Sequence, residues 1–388
     1  MPARAIVAVS RLPGWGGSEV VACEIAEALI ERGWQVEVFA YAIRPVLRQY
    51  LKRLGAGVRT GESNLDLRQF DLIYCHHQMT SHLLFRQLLD RELSGDMPVF
   101  VYNHLSPYES MELPGPLIEA QVADLIWCNS VETQRVVNEF GKRFSGSVVV
   151  PNPAPDRFFA SRTNRASRIG SLLIVSNHIP PEMVEALALL EREGLRVTRI
   201  GSGHIMRRAE PQDFLDHDAV VTIGKSVQYA LASETPVYCY DQFGGPGWLT
   251  SENVASAEEF NFSGRSHPQR LKAAAIADDI RGGYNAAAMG TVSLTGAASD
   301  KWRLNRIVDE LIGFVRSERH NPTRSARLAD LAGSPEFRRN LIAEGHVQEN
   351  LRREMVQRLA VEYRLLKNMK RRHSSVFSRL SAVLRGRR

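Results

Sequence analysis

The sequence predicts an α/β protein of two doubly wound, Rossmann-like halves facing one another across a cleft, with a helical extension at the C-terminus. Three observations carry that expectation. Short apolar runs alternate with amphipathic stretches from Ala5 onward, the pattern of βαβ units in a parallel sheet. The pattern breaks at the proline-rich segment 151–155 (PNPAP) and the polar stretch 161–167, then restarts at Ser171. At 388 residues the chain is also too long for one ordinary hydrophobic core. The expected units are 1–155, 165–330 and a helical basic extension over 335–388.

Residues 5–9 read as a strand. Residues 19–32 read as a helix, with Val20, Cys23, Ile25, Ala26, Leu29 and Ile30 at helical spacing and Gly33 as its stop, and 35–41 as the next strand. Further strands are expected at 72–75, 99–102, 125–128 and 148–150, separated by helical stretches near 43–54, 81–93, 116–122 and 132–140. The second half shows strands at 171–176, 196–200, 219–223 and 236–240, with helices at 181–193 and 227–233. Residues 273–288 and 302–316 read as helices, and 336–384 as two or three more. Ligands of open sheets sit at the carboxyl ends of the strands, so the residues that follow strands are the ones to weigh.

Composition narrows the function classes. Hydrophobic residues make up 44% and charged residues 24%, which excludes collagen-like, disordered and disulfide-scaffold chains. The net charge of +6 is unevenly placed. Residues 351–388 hold twelve Lys/Arg against two acids, or +10, so the preceding 350 residues carry 37 bases and 41 acids, or −4. A body without a basic footprint makes nucleic acid an unlikely partner. Cys23, Cys75, Cys128 and Cys239 are far apart, lack C-x-x-C spacing and lie in apolar stretches, as expected of reduced core residues. The apolar run at 5–9 is too short for the h-region of a signal peptide. No stretch approaches the roughly 18 apolar residues of a spanning helix, so the expected place is the cytoplasm, with any membrane contact peripheral.

Two glycine motifs follow strands and lead into helices. After the first strand, residues 11–19 (RLPGWGGSE) place Gly16 and Gly17 at a helix N-terminus, where backbone can approach a ligand and free N–H groups favour an anion. A flexible turn capped by Ser18 is the equal alternative. In the second half, Gly224, Lys225 and Ser226 offer N–H groups, a cation and a hydroxyl suited to a diphosphate, with a structural turn as the alternative. This is not a Walker A loop, because Ala219 stands where its first glycine is needed. A second glycine loop holds Gly244 and Gly245, and Arg265 sits on a polar turn.

The opening stretch 16–40 (GGSEVVACEIAEALIERGWQVEVFA) resembles that of GT-B-fold glycosyltransferases, especially the large retaining group with an E-x7-E motif. Further matches follow in order: DLIYCHH at 71–77, VFVYNH at 99–104, ADLIWCNS at 123–130, VVPNP at 149–153 and IGSG at 200–203. The resemblance implies a nucleotide-diphosphate sugar as co-substrate and no metal or other cofactor. Together with the residue readings above, it gives an expected donor site of Gly16, Gly17, Asn177, His178, Gly201, Gly203, Gly224, Lys225, Ser226, Tyr229, Gly244, Gly245 and Arg265. It singles out His104, as the histidine that contacts the donor sugar in retaining members, although an isolated histidine is more often a satisfied structural group. Glu109 is the carboxylate an inverting mechanism would use as base, with His77 and Glu112 on the acceptor side. The chain also departs from the pattern. Val221 and Tyr229 stand where the motif has its two glutamates, and residues 176–181 (SNHIPP) replace the usual Arg and Lys. Lys225, with Arg265, is then expected to neutralise the diphosphate.

The tail divides in two. Over 351–369, apolar residues at helical spacing read as a helix packed on the body. Residues 370–388 combine Val376, Phe377, Leu380, Val383 and Leu384 with seven bases and no acid, the composition of an interfacial helix drawn to anionic lipid. The expected function is sugar transfer from a nucleotide-diphosphate donor to a glycan or lipid-linked acceptor in bacterial surface polysaccharide assembly, at the inner face of the cytoplasmic membrane. The alternatives are a nucleotide-sugar 2-epimerase of the same fold and a catalytically degenerate nucleotide-binding or scaffold protein.

Overall fold

A computed structural model describes residues 2–60, 65–90, 97–160, 166–295 and 299–385, with the side chains of 362–385 outside the description. The polar segment 161–165 and the side chains of the expected lipid-binding stretch 370–388 therefore lie outside the described residues.

The first half is a seven-stranded parallel sheet. Its strands are β1 (Arg4–Ala8), β2 (Gln35–Phe39), β3 (Gly57–Arg59), β4 (Leu72–Cys75), β5 (Val99–His104), β6 (Leu125–Cys128) and β7 (Val148–Val149), in the order β3-β2-β1-β4-β5-β6-β7. The central strands are buried on both faces, which is why they read as continuous apolar runs rather than alternating ones. The second half has β8 (Ser171–Val175), β9 (Arg196–Ile200), β10 (Ala219–Thr222), β11 (Val237–Asp241) and β12 (Gly244–Trp248), in the order β9-β8-β10-β11-β12, with only the β11–β12 pair antiparallel. The main helices are α1 (Gly17–Glu31), α2 (Pro45–Arg53), α3 (Met79–Asp90), α4 (Val131–Glu139), α5 (Pro181–Arg192), α6 (Lys225–Ala232), α7 (Ala273–Thr295), α8 (Leu304–Arg319), α9 (Pro322–Gly333) and α10 (Pro335–Arg385).

Each sheet carries a core on each face. The chain returns to its first half after α7. Leu304, Ile307, Val308, Leu311, Ile312 and Val315 of α8 share one core with α1, β1 and β2, and Leu328, Phe337 and Leu341 of α9 and α10 join Leu83 and Phe85 of α3 on the opposite face. The expected second unit, 165–330, thus runs past the second sheet, because the apolar stripes of α8 and α9 complete the faces of the first. The tail expected as two or three helices is one continuous helix, α10; no proline interrupts it, and Gly345 inside it costs only about 1 kcal/mol. That glycine lets α10 approach α3, since a Cβ there would lie 2.2 Å from the Phe85 ring.

The second glycine loop is also corrected. Gly244 and Gly245 begin the antiparallel edge strand β12, where Cβ atoms would meet the Gln269 carbonyl oxygen at 2.3 Å and the Cys239 carbonyl oxygen at 2.1 Å. They permit backbone packing rather than ligand contact. All four cysteines are free and buried. No helix among the described residues is long and apolar enough to cross a membrane.

Candidate functional site

In a doubly wound sheet the crevice opens where the strand order reverses, because neighbouring connections leave in opposite directions. Here that is between β1 and β4 in the first sheet and between β8 and β10 in the second. The loops from these points meet in a cleft of about 370 Å³. It brings together Gly16 and Gly17 after β1, Asn177 and His178 after β8, Gly201 after β9, and Gly224, Lys225, Ser226 and Tyr229 after β10, with Glu112 and Asn152 of the connecting segment 151–155 beside them. Gly201, with φ +139°, is required: a Cβ would stand 1.9 Å from the Ser176 carbonyl oxygen. Gly203, Gly244, Gly245, Arg265, His77, His104 and Glu109 do not line the cleft. A larger cavity of about 550 Å³ behind that segment holds none of the expected site residues.

Two helix N-termini open into this cleft. Gly16 caps α1 and Gly224 caps α6, and neither supplies a side-chain bond to the first turn. Ser18 is therefore not the cap. At α1 the Glu19 carboxylate already accepts its own backbone N–H, and at α6 the Val227 N–H donates to the Gly224 carbonyl oxygen, so the groups left to an anion are the N–H groups of the first two residues of each helix. Gly224 has φ +57° and ψ −138°, a backbone only glycine adopts readily.

The floor is an ion cluster that sequence reasoning missed. Lys225 Nζ lies 2.7 Å from Glu24 Oε2 on α1 and donates to the Pro153 carbonyl oxygen at 2.5 Å. The Tyr229 hydroxyl donates to Glu24, and its ring stacks on Phe158 at 4.0 Å. Beside them Glu27 of α1 pairs with Arg208 at 3.2 Å and Arg157 at 3.3 Å. Burial pushes the Lys225 ammonium below its ordinary range and Glu24 opposes that shift. The cation expected at the diphosphate is thus shared with a carboxylate of the opposite half. The signal was present in α1, where Glu24 interrupts the apolar face between Cys23 and Ile25. Arg265 is held differently: its guanidinium grips Glu132 of α4 at 2.6 Å and covers the Tyr108 ring at 4.8 Å. This latch between the halves stands outside the cleft and cannot neutralise a diphosphate there.

On the first half, the loop 105–118 decides which groups face the cleft. His104 ends β5 but is 3% exposed. Nδ1 donates to the Glu112 carbonyl oxygen and Nε2 to Glu119 Oε1, each at 2.6 Å. Burial alone would lower its pKa, but Glu119, which is fully buried, and the carbonyl outweigh that and raise it. With both nitrogens donating to buried acceptors, His104 is a cationic anchor under the loop rather than a group facing a donor sugar. Glu109 is exposed at the loop tip. The carboxylate in the cleft is Glu112: Oε1 accepts from His77 Nε2 at 2.9 Å and Oε2 from the Leu105 N–H at 3.3 Å. The Ser10 N–H donates to His77 Nδ1 at 3.2 Å, which puts the proton on Nε2. Burial pushes the Glu112 pKa up, but His77 and these bonds outweigh it, so the carboxyl is held below its ordinary value and ionised.

Helix α10 braces the same loop. Glu344 accepts the Leu117 and Ile118 N–H groups at 3.0 and 3.1 Å, and Gln348 donates to Gln78, which itself donates to the Leu113 carbonyl oxygen at 2.8 Å. Among the described residues no three His, Cys, Asp or Glu side chains converge as a metal site.

Two Rossmann-like halves facing a cleft at their switch points define a GT-B protein. Residues 15–157, within the first half, match the family model described as Glycosyltransferase Family 4. No curated protein matches the chain. Solved structures of Anabaena Alr3699/HepE share the fold at 16% identity. Its complex with UDP and glucose aligns over 81% of this chain and 100% of its own with a TM-score of 0.53; that with UDP over 82% and 100% with 0.51; and that with UDP-glucose over 80% and 99% with 0.50.

Proposed function

We propose that the protein transfers a sugar from a nucleoside-diphosphate donor to a glycan or lipid-linked acceptor of bacterial surface polysaccharide. The observation that carries this reading is the meeting of two glycine-led helix N-termini, at Gly16–Gly17 and Gly224, with Lys225 in one cleft. Aligned N–H groups and a cation act where negative charge builds on a departing nucleoside diphosphate. The Glycosyltransferase Family 4 match over the first half and the UDP and UDP-glucose bound by HepE support it.

In this reading a diphosphate lies between α1 and α6 and draws Lys225 from Glu24, while Glu112, held by His77, accepts a proton from the acceptor hydroxyl. Motion of the halves about 151–155 excludes water from the donor. A lipid-linked acceptor accounts for the basic stretch 370–388 as a contact with anionic membrane at the cytoplasmic face. An epimerase needs an acid/base pair in the cleft, and Glu112 is the one carboxylate among the described residues that line it. A nucleotide-binding scaffold is favoured by one observation, the pairing of Lys225 with Glu24.

Incubation with UDP-, GDP- and dTDP-sugars, read as thermal stabilisation and then turnover, separates these readings. Stabilisation with sugar transfer supports the transferase, and stabilisation without turnover supports the scaffold. No stabilisation by any nucleotide sinks both. Lys225→Met should weaken nucleoside diphosphate binding at least tenfold, as loss of a charge-assisted contact of about 1.5–3 kcal/mol requires.

A further inference from the structure

Asn152 lies in the connecting segment between Pro151 and Pro153, and its side chain is almost wholly buried, at 5% exposure. Its Nδ2 donates to Asn261 Oδ1 of the second half at 3.0 Å, whereas its own Oδ1 has no partner. Both residues line the cleft beside Gly224 and Ser226. Leaving a buried amide oxygen without a donor costs about 1–3 kcal/mol. In a residue that lines a cleft, such an acceptor gains its missing donor when the amide turns toward a bound molecule.

Asn261 supports the same conclusion through its backbone. It has φ +52° in a turn after the short helix Val254–Glu259, a left-handed conformation that asparagine tolerates better than most residues. That turn aims Nδ2 at Gly224, where a Cβ would lie 3.7 Å from it. Since Gly224 carries no side chain, the space between the two amides and the start of α6 stays open.

We infer that Asn152 and Asn261 form a polyhydroxyl subsite that holds the sugar to be transferred, an assignment that rests on the donor reading above. Position fixes which part of a nucleotide sugar reaches them. The diphosphate belongs at the N-termini of α1 and α6. The reacting carbon must face the half that supplies Glu112, Leu105 and Asn129 to the cleft, so the sugar lies between α6 and that half, with Asn152 at its base. The nucleoside then extends the other way, toward Asn177 and Gly201 at the ends of β8 and β9. An amide acceptor beside an amide donor matches neighbouring hydroxyls: one gives its proton to Asn152 Oδ1, and the next accepts from Asn261 Nδ2.

The test titrates the full chain with UDP and UDP-glucose, then with the GDP and dTDP pairs, and takes the ratio of nucleotide-sugar affinity to nucleoside diphosphate affinity. Asn152→Ala and Asn261→Gly are each expected to lower that ratio about tenfold, as loss of roughly one such hydrogen bond predicts, while leaving nucleoside diphosphate affinity within about twofold. Asn261→Gly preserves the left-handed backbone, so its effect is separable from misfolding, with the melting temperature as control. An unchanged ratio in both variants overturns the subsite alone, as does an equal loss of nucleotide and nucleotide-sugar binding. A wild-type chain that binds no nucleoside diphosphate overturns the donor reading and the subsite with it.

Discussion

Strands β4 and β5 lie side by side in the first sheet, and each leads into a histidine with a glutamate partner. The two pairs nevertheless do different things. His104 and Glu119 are sealed beneath the loop 105–118, with both ring nitrogens spent on buried acceptors. His77 instead carries Glu112 at the cleft wall and is itself fixed by Ser10. A histidine at a strand end is therefore not brought to the cleft by that position alone. The path of the loop that follows it decides which side chain faces the cleft.

The largest effect is expected for His104→Ala. Removing the cation leaves Glu119 charged and buried, a change that costs about 3–5 kcal/mol for a broken buried pair. Urea unfolding should show a loss of that size, while the folded fraction keeps its donor affinity. A loss below about 1 kcal/mol, the range of exposed pairs, would show that His104 is not the anchor described. Next in size is Glu112→Gln, expected to lower transfer turnover about a hundredfold, the low end for loss of a general base, with donor affinity little changed. Turnover equal to wild type would remove Glu112 from the chemistry.

The two strand ends should also titrate in opposite directions. His104 has a folded pKa raised above its ordinary 6.5, so its contribution to stability is complete below that value and is lost as pH rises through the folded one. Glu112 has a folded pKa depressed below 4.5, so its contribution is present above that value and is lost as pH falls through the folded one. The gap in urea midpoint between wild type and His104→Ala should shrink on going up from about pH 6.5, and that for Glu112→Gln should shrink only in acid. The reverse order would refute the assignment. The smallest effect belongs to Glu109→Gln at the exposed loop tip, where turnover should stay within about twofold of wild type, as for surface changes generally.

Much of the fold is legible in the sequence. Strands 72–75 and 125–128 match their expected limits, because parallel strands buried on both faces announce themselves as short apolar runs, and the edge strand 196–200 matches through its bounding turn residues. The loops that line the cleft are legible too, since Gly16, Gly17, Gly201 and Gly224 follow strands and meet there. What sequence order hid was partnership. Lys225 looked like a free cation because Glu24 lies 201 positions away by chain number. Arg265 looked like a phosphate ligand because Glu132 belongs to the other half. The glycines at 244 and 245 looked like a ligand loop because nothing local shows Gln269 and Cys239 pressing against them.

The sequence by itself determined two α/β halves, a break at 151–155 and the strand ends that build a cleft, because periodicity, turn residues and glycine positions are local properties of the chain. Only the tertiary structure decided that α8 and α9 return to the first half, that Glu112 rather than His104 or Glu109 lines the cleft, and that Lys225 shares its charge with Glu24. Burial, loop path and charge pairing depend on residues far apart in the chain, and they acquire definite values only when the two sheets are brought face to face.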